Sequence, residues 1–286
     1  MAELDRFRQL NTDDSDARRS MYNRFYWRSE EAARRSRDVA ESKPSQRKRI
    51  ALYRRIIGGG HRAILEIGCA SGGLTSALAD LASQTIGIDI SSNLVRVAQQ
   101  AERALPGKSV SFVQMNAIEL GFAPSTFDFA VSSSMIEHLH PDDIDTHLCD
   151  VFRVLRDGGA YLVWCPNRLG HHKHRNFHLC MMSYCDLIER MKRAGFSRFR
   201  TPMFKSVPMV DAGFKVAMEN AMTAVRLKVL WSHLGVRNIC LVGFKDGPGG
   251  GRRGVRAAVA LSGPRCGSGC QDSSTGPQQA PMALNL

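Results

Sequence analysis

The sequence of 286 residues lacks any uninterrupted apolar run of about 18 residues, the length that a membrane-spanning helix needs. Its first twenty residues also lack the apolar core of a secretory signal. The eight cysteines are scattered, without the spacing of a disulfide framework or of paired zinc ligands. These absences argue against membrane-spanning and disulfide-stapled classes, and they predict a reduced, cytoplasmic protein without a metal site.

Charge is distributed unevenly, although the total is only +12. The net charge is +6 over residues 1–60, −6 over 61–165, +9 over 166–237 and +3 over 238–286. An acidic middle between basic flanks favours an anionic ligand that meets the basic segments. Nucleic acid stays open as an alternative, because phosphates attract clustered Lys and Arg, but no familiar RNA-binding module is present.

Short apolar runs alternate with helical stretches from residue 61 onward. This alternation predicts an α/β fold with a doubly wound, Rossmann-like and mostly parallel sheet. Seven strands are expected, at 63–67, 85–90, 110–114, 127–132, 160–165, 196–203 and 238–244. In chain order, the predicted parts are a helical N-terminal cap at 1–60, the main domain at 61–245 with a helical insertion at 205–237, and a glycine-rich disordered tail at 246–286.

The insertion carries an amphipathic pattern that predicts a helix. The apolar side chains that recur at helical spacing are Phe214, Met218, Met222, Val225 and Val229. Lys215 and Glu219 fall off this apolar stripe, so they are expected on the outer face. The simplest interpretation is a helix packed on the sheet edge. Capping of a ligand pocket, homodimerisation and peripheral contact with an anionic membrane remain open.

A glycine-rich turn follows the first predicted strand. It reads EIGCASGG from Glu66 onward, and Asp89 closes the next strand. Gly68, Ala70 and Gly72 allow the backbone to approach a ligand, and amides at a helix start can receive a carboxylate. An acid at the end of the second strand can accept from both hydroxyls of a ribose. The pair predicts a nucleoside-containing cofactor, while incomplete GxGxxG spacing disfavours a dehydrogenase.

Together with FVQMNAIEL and SSSMIEHL further along, these segments resemble the class I S-adenosylmethionine-dependent methyltransferases over about residues 61–245. The resemblance is closest to the branch of small-molecule, ubiquinone- and glycan-type O-methyltransferases, and it implies S-adenosylmethionine as cofactor. The implied contacts are Glu66, Gly68, Ala70 and Gly72 around the methionine end, Asp89 at the ribose, Ile90, Asn116 and Ala117 at the adenine, and Ser132, Ser133 and Met135 beside the sulfonium.

Two positions depart from the family pattern. Ala70 stands where a second glycine is usual, and Asn116 stands where an acid is common, although an amide also hydrogen-bonds adenine. These departures keep open a cofactor-binding protein without catalysis.

Two histidine-bearing segments are candidates for the catalytic chemistry. Glu137 and His138 follow the fourth strand, and His138 is the preferred general base because ordinary histidine titrates near neutrality. A purely structural role for this pair is the alternative. After the fifth strand, four of the nine histidines fall within eight residues, and His171 is the candidate there. A metal site built from that stretch is disfavoured; its ligands would be His171, His174, His178 and Cys180.

The resemblance and these candidates predict a methyltransferase that acts on an oxygen of a small-molecule, glycan or lipid-head-group acceptor. The Asn-Pro-Pro-aromatic motif of amino-group methylation is absent after the fourth strand. Carbon-5 methylation of pyrimidines needs a nucleophilic cysteine, but Cys165 has no partner after the fourth strand and is expected to be a small buried residue. An RNA-directed methyltransferase remains the alternative.

Overall fold

The computed structural model describes residues 44–103, 107, 109–169, 178–202, 209–224 and 238–247, together with positions 17 and 20. Most of the predicted N-terminal cap, both ends of the predicted insertion and the predicted tail from residue 248 lie outside the described residues.

One mixed sheet organises the described part of the chain. Its eight strands are β1 (His61–Ile67), β2 (Ala82–Asp89), β3 (Val110–Gln114), β4 (Phe127–Ser133), β5 (Leu155–Pro166), β6 (Arg198–Pro202), β7 (Met209–Asp211) and β8 (Asn238–Phe244). The strand order is β3-β2-β1-β4-β5-β8-β6-β7. The first five strands in that order run parallel, and β8, β6 and β7 join by antiparallel pairing. The predicted α/β, doubly wound and mostly parallel fold is therefore confirmed.

The sheet has one strand more than the seven that the sequence pattern predicts. The additional strand, β7, is three residues long and pairs with β6. It lies inside the insertion that was expected to be helical, because its sequence Met-Val-Asp is too short to show an alternating pattern.

Helices cover both faces of the sheet. They are α1 (Pro44–Ile57), α2 (Gly73–Leu78), α3 (Ser92–Glu102), α4 (Asp143–Val154), α5 (Tyr184–Arg193) and α6 (Gly213–Ala224), with a 3-10 turn at Ile136–His138. The alternation of side chains along β1 illustrates the two layers. Leu65 belongs to the cluster that includes α4 and α5, whereas Ile64 belongs to the cluster that includes α1. No helix among the described residues is long and apolar enough to cross a membrane.

Helix α6 buries a face that lies about 100° around its axis from the predicted one, and Met218 of the predicted apolar stripe is partly buried. Phe214, expected to be buried, is 42% exposed, while Lys215 and Glu219 are 1% and 2% exposed. The prediction for these three side chains was wrong. The reason is polar: the Glu219 carboxylate accepts hydrogen bonds from the backbone amide of Tyr184 and from the side chain of Asn167. A buried carboxylate with such partners outweighs the apolar periodicity.

The parallel half of the sheet brings its carboxyl ends to one edge. β1 lies between β2 and β4, and Ile67 at the end of β1 is in register with Ile88 on one side and Ser132 on the other. The chain order reverses between β1 and β4, which is the switch point where ligands bind in open α/β sheets.

Candidate active site

The glycine-rich turn after β1 has an unusual backbone. Gly68, Ala70 and Gly72 all lie in the left-handed region, with φ of 79°, 48° and 85°. At Gly68 an added Cβ would lie 2.5 Å from Cγ of Met135, so the turn touches the segment that follows β4 and leaves no room for a side chain. The left-handed conformation costs roughly 1–2 kcal/mol at Ala70, whereas a glycine at this position would be unstrained. The turn keeps its shape despite the departure at Ala70.

Asp89 holds that turn in place. Its Oδ2 accepts from the backbone amide of Ala70 at 2.9 Å, and its Oδ1 accepts from the amide of Ser91 at 2.9 Å. Each carboxylate oxygen has two lone pairs, so each can also accept from a ribose hydroxyl. The same carboxylate that is predicted to meet the ribose therefore braces the backbone beside the methionine end, and the residues present fit the cofactor.

The end of β3 comes next to Asp89. The amide of Met115 donates to the Asp89 carbonyl at 3.0 Å, which places Asn116 directly after that contact. Oδ1 of Asn116 accepts from the amide of Ile118 at 3.2 Å, and the NH₂ group of the side chain adds two donors. Ile90 is partly buried beside this segment. The structure thus brings the predicted adenine-side residues to the same edge as the predicted ribose-binding carboxylate.

Ser132 and Ser133, predicted beside the sulfonium, are engaged in different hydrogen bonds. Ser132 is fully buried, and its hydroxyl pairs with the Tyr161 hydroxyl at 2.7 Å. Ser133 Oγ lies 3.0 Å from the hydroxyl of Tyr53 in α1. The side chain of Ser132 therefore belongs to the core, and its backbone is the part that lies at the site edge.

A buried polar chain continues from Ser132 beneath the site. The Tyr161 hydroxyl lies 2.9 Å from Nε2 of His147, and Nδ1 of His147 lies 2.7 Å from the carbonyl of Ala117. Burial lowers the pKa of His147 to about 4, so the imidazole is neutral at physiological pH. The chain ties the end of β4 to Ala117, which is predicted beside the adenine.

Glu66 lies under the glycine-rich turn. It is 3% exposed and accepts a hydrogen bond from the Thr75 hydroxyl in α2. Burial raises the pKa of Glu66 to about 8, against a partial lowering by the Thr75 hydrogen bond. Glu66 therefore links β1 to α2 and carries a proton at neutral pH.

Arg49 in α1, which sequence reasoning missed, brings a positive charge near the site. Burial raises the pKa of Glu66 and of Glu137 to about 8, and the positive charge of Arg49 partly lowers both. The charge of Arg49 also lowers the pKa of Tyr53, which burial raises. One guanidinium thus lies within electrostatic reach of the ends of both β1 and β4. The sequence showed Arg49 only as one of many basic residues in the predicted cap.

Glu137 and His138 lie in the 3-10 turn that follows β4. Glu137 is 2% exposed, and its Oε2 has no hydrogen-bond partner among the described residues. The His138 ring packs edge-on against the ring of His178, with centroids 5.2 Å apart. His140, the other histidine of this segment, is buried with Nδ1 3.0 Å from Asp142 at the start of α4.

The segment after β5 is tethered to this turn. The carbonyl of Glu137 accepts from the amides of Leu179 at 2.8 Å and Cys180 at 3.1 Å. The predicted catalytic candidates after β4 and the end of the histidine-rich stretch therefore meet. His171, the predicted candidate of that stretch, lies outside the described residues.

Glu219 is a second residue that the sequence did not reveal. Its buried carboxylate binds the side chain of Asn167, directly after β5, and the amide of Tyr184 at the start of α5. Burial raises the pKa of Glu219. One side chain from α6 in this way joins the residue after β5 to the start of α5.

Comparison with known proteins agrees with this geometry. Residues 65–163 match the family model described as a methyltransferase domain. A probable S-adenosylmethionine-dependent methyltransferase of Mycolicibacterium smegmatis is 32% identical over 141 residues, which are 47% of this chain and 52% of the relative. A ubiquinone biosynthesis O-methyltransferase of Rhizobium etli is 30% identical over 105 residues, 37% of this chain and 41% of the relative.

Solved structures share the fold. A TehB-like S-adenosylmethionine-dependent methyltransferase from Corynebacterium glutamicum superposes with a TM-score of 0.53 at 18% identity, covering 76% of this chain and 97% of the other. The chain spans about half, or less, of the length of the curated relatives it matches. The matched domain contains the turn after β1, Asp89 and the Glu137-His138 turn. Residues 65–163 are therefore a methyltransferase domain of the class I S-adenosylmethionine-dependent type, whose cofactor is S-adenosylmethionine.

Proposed function

We propose that this protein transfers a methyl group from S-adenosylmethionine to an oxygen of a small-molecule, glycan or lipid-head-group acceptor. The observation that carries the proposal is the double role of Asp89, whose carboxylate braces the glycine-rich turn through Ala70 while standing at the end of β2. A carboxylate at that place can fix a ribose and the backbone beside it at once.

The remaining contacts to the cofactor follow from position and charge. The NH₂ donors of Asn116 suit the ring nitrogens of adenine, and Ile90 offers an apolar surface to the ring face. Arg49 brings a positive charge toward Glu66 and Glu137, where the methionine carboxylate would need one. The residues that would hold the cofactor therefore extend from β3 to α1.

Bound S-adenosylmethionine supplies a methyl group on a sulfonium, which is already a good leaving group. The protein mainly aligns the acceptor oxygen and excludes water, effects that are worth up to about 7–11 kcal/mol. His138 is the proposed base that takes the proton of the acceptor hydroxyl, a contribution of about 10²–10⁴-fold. Its place beside Met135, which touches the turn at Gly68, supports this role.

The choice of an oxygen acceptor rests on the relatives. The Rhizobium etli protein is an O-methyltransferase of ubiquinone biosynthesis, and its match covers 37% of this chain. An anionic acceptor is proposed from the net charge of +9 in residues 166–237, which follow β5 at the same edge. A cytoplasmic location and a homodimer stay predictions from the sequence.

Cofactor binding and turnover test the proposal separately. In calorimetry, Asp89→Ala abolishes S-adenosylmethionine binding, because the substitution removes the ribose acceptors and the brace on Ala70. Asp80→Asn, an exposed aspartate paired with Arg54 on the surface, is the matched control and binds normally. Equal affinity in Asp89→Ala and the unmodified protein would refute the assignment.

Measuring turnover requires a methyl acceptor, and transfer of label from the cofactor identifies one. The protein is incubated with labelled S-adenosylmethionine and fractions of small molecules, glycans, lipids and RNA, and the product is identified by mass spectrometry. His138→Ala keeps the cofactor affinity and slows methyl transfer about 10²–10⁴-fold. Label that enters RNA alone would replace the small-molecule proposal with the RNA-directed alternative.

A further inference from the structure

Three potential metal ligands meet above the end of β4. Glu137, His138 and His178 each offer one ligand atom, and these atoms all lie within 4.8 Å of one another. The sequence did not group them, because His178 lies 40 residues after His138 and was considered only with its own neighbours. Two imidazoles and one carboxylate form a ligand set that divalent transition metals accept.

The carboxylate of this group is buried, and one of its oxygens lacks a hydrogen-bond partner among the described residues. Glu137 is 2% exposed, and its Oε2 finds no hydrogen-bond donor among the described residues. A buried polar atom of this kind destabilises a fold by about 1–3 kcal/mol unless a ligand satisfies it. A bound cation would supply the missing partner for Oε2.

The backbone holds the three side chains on one frame. Glu137 and His138 share the 3-10 turn, and the carbonyl of Glu137 accepts from the amides of Leu179 and Cys180, directly after His178. The segment carrying His178 is thus fastened to the residue that supplies the carboxylate. A site built on fastened elements needs only small side-chain rotations to bind an ion.

We propose that Glu137, His138 and His178 form a binding site for a divalent transition-metal ion of the Zn²⁺ type. Tetrahedral coordination at 2.0–2.1 Å needs ligand atoms about 3.4 Å apart, so rotations that close the present separations complete the site. Three protein ligands leave the fourth position for water or substrate, as in catalytic zinc sites. Mg²⁺ is disfavoured, because it prefers oxygen ligands in near-ideal octahedral geometry.

The position of the site suggests what the ion does. The turn follows β4, at the edge where the acceptor is placed under the proposed function, on which this part of the inference rests. A bound ion can take the acceptor oxygen in its open position and lower the pKa of that hydroxyl. With the ion bound, His138 would serve as a ligand and the proton of the acceptor hydroxyl would pass to water; without the ion, His138 keeps the role of base given under the proposed function.

Metal binding is measured on the full chain without S-adenosylmethionine. The protein is freed of metal with a chelator, and Zn²⁺ is titrated against a competing indicator; Co²⁺ replaces Zn²⁺ for absorption spectroscopy. We expect one ion per chain and a Co²⁺ spectrum without the near-ultraviolet band of thiolate ligands. Glu137→Gln and His178→Ala each weaken binding by at least about tenfold, as loss of a ligand removes one of three bonds.

His61→Gln is the matched control for the loss of a histidine. His61 lies at the amino end of β1, away from the site, and its Nε2 contacts the carbonyl of Ile57. Its Zn²⁺ affinity equals that of the unmodified protein. Circular dichroism verifies that Glu137→Gln and His178→Ala are folded. If either variant does not fold, melting temperatures are compared instead. We then expect Zn²⁺ to raise the melting temperature of the unmodified protein but not that of His138→Asn.

The outcomes separate this inference from the proposed function. No bound ion, equal affinity in His178→Ala, or thiolate absorption in the Co²⁺ spectrum overturns the metal site, even if the protein binds S-adenosylmethionine. Stoichiometric Zn²⁺ binding lost in Glu137→Gln supports the site, even if the cofactor does not bind. A chelator that slows methyl transfer, with recovery on adding Zn²⁺, supports the acceptor role of the ion.

Discussion

Changing Glu66 to Gln removes a pH dependence from the stability of the fold. Burial raises the pKa of Glu66 to about 8 in the folded protein, from an ordinary value of 4.5. Below pH 4.5 the carboxyl is protonated in both states, so the favourable contribution is fully present. The contribution is lost as the pH rises toward 8, because the unfolded chain then releases a proton that the folded protein keeps.

The size of this loss in stability follows from the difference between the folded and unfolded pKa values of Glu66. Each pH unit between the two pKa values is worth about 1.36 kcal/mol, so about 4 kcal/mol is lost between pH 5 and pH 8. Gln cannot ionise, but its carbonyl still accepts from the Thr75 hydroxyl. Relative to Glu66→Gln, the unmodified protein therefore loses about 4 kcal/mol of unfolding free energy over this range.

Urea unfolding without cofactor, at half-unit steps from pH 5 to pH 8, measures the difference. Subtracting the curve of Glu66→Gln cancels the pH dependence of the ionisable groups that do not interact with Glu66. Glu119→Gln, at an exposed position, is the control and gives a flat difference. A difference for Glu66→Gln that stays within about 1 kcal/mol across the range would refute the reasoning.

Three further substitutions test separate parts of the structure. Tyr161→Phe removes the hydroxyl at the centre of the buried polar chain and lowers the free energy of unfolding by about 2–3 kcal/mol in urea; a loss under about 0.5 kcal/mol contradicts the chain. Glu219→Gln speeds hydrogen exchange at the Tyr184 amide at least about tenfold with cofactor affinity unchanged, and equal exchange rates speak against the clamp. Gly68→Ala, with φ at 79° and its Cβ against Met135, lowers cofactor affinity at least about tenfold. Gly59→Ala, where nothing lies within 4 Å of an added Cβ, keeps it, and equal losses in both variants argue against the close approach.

The cofactor edge could be predicted because its signals are local. A strand, a turn of small residues, a helix and an acid at the end of the next strand follow one another between His61 and Asp89. The parallel pairing of β1 with β2 then brings Glu66, Ala70 and Asp89 together without any information from distant parts of the chain. Fold class and cofactor family follow from that unit.

The acceptor side could not be predicted in the same way. Arg49 acts on Glu137 from 88 positions earlier, and His178 meets His138 across 40 positions. Neither pairing leaves a periodicity or a spacing in the sequence. The orientation of α6 was predicted wrongly for a related reason. The partners of Glu219 lie directly after β5 and at the start of α5, and only the folded chain shows that they compensate a buried carboxylate.

The strand order has a consequence for synthesis on the ribosome. β8 is made last but lies between β5 and β6, so the β6–β7 hairpin has no place in the sheet until residue 244 has emerged. Until then β5 ends the nascent sheet with its apolar face and unpaired backbone groups open to other chains. A protein truncated before Asn238 keeps its whole cofactor-binding half and yet is expected to aggregate.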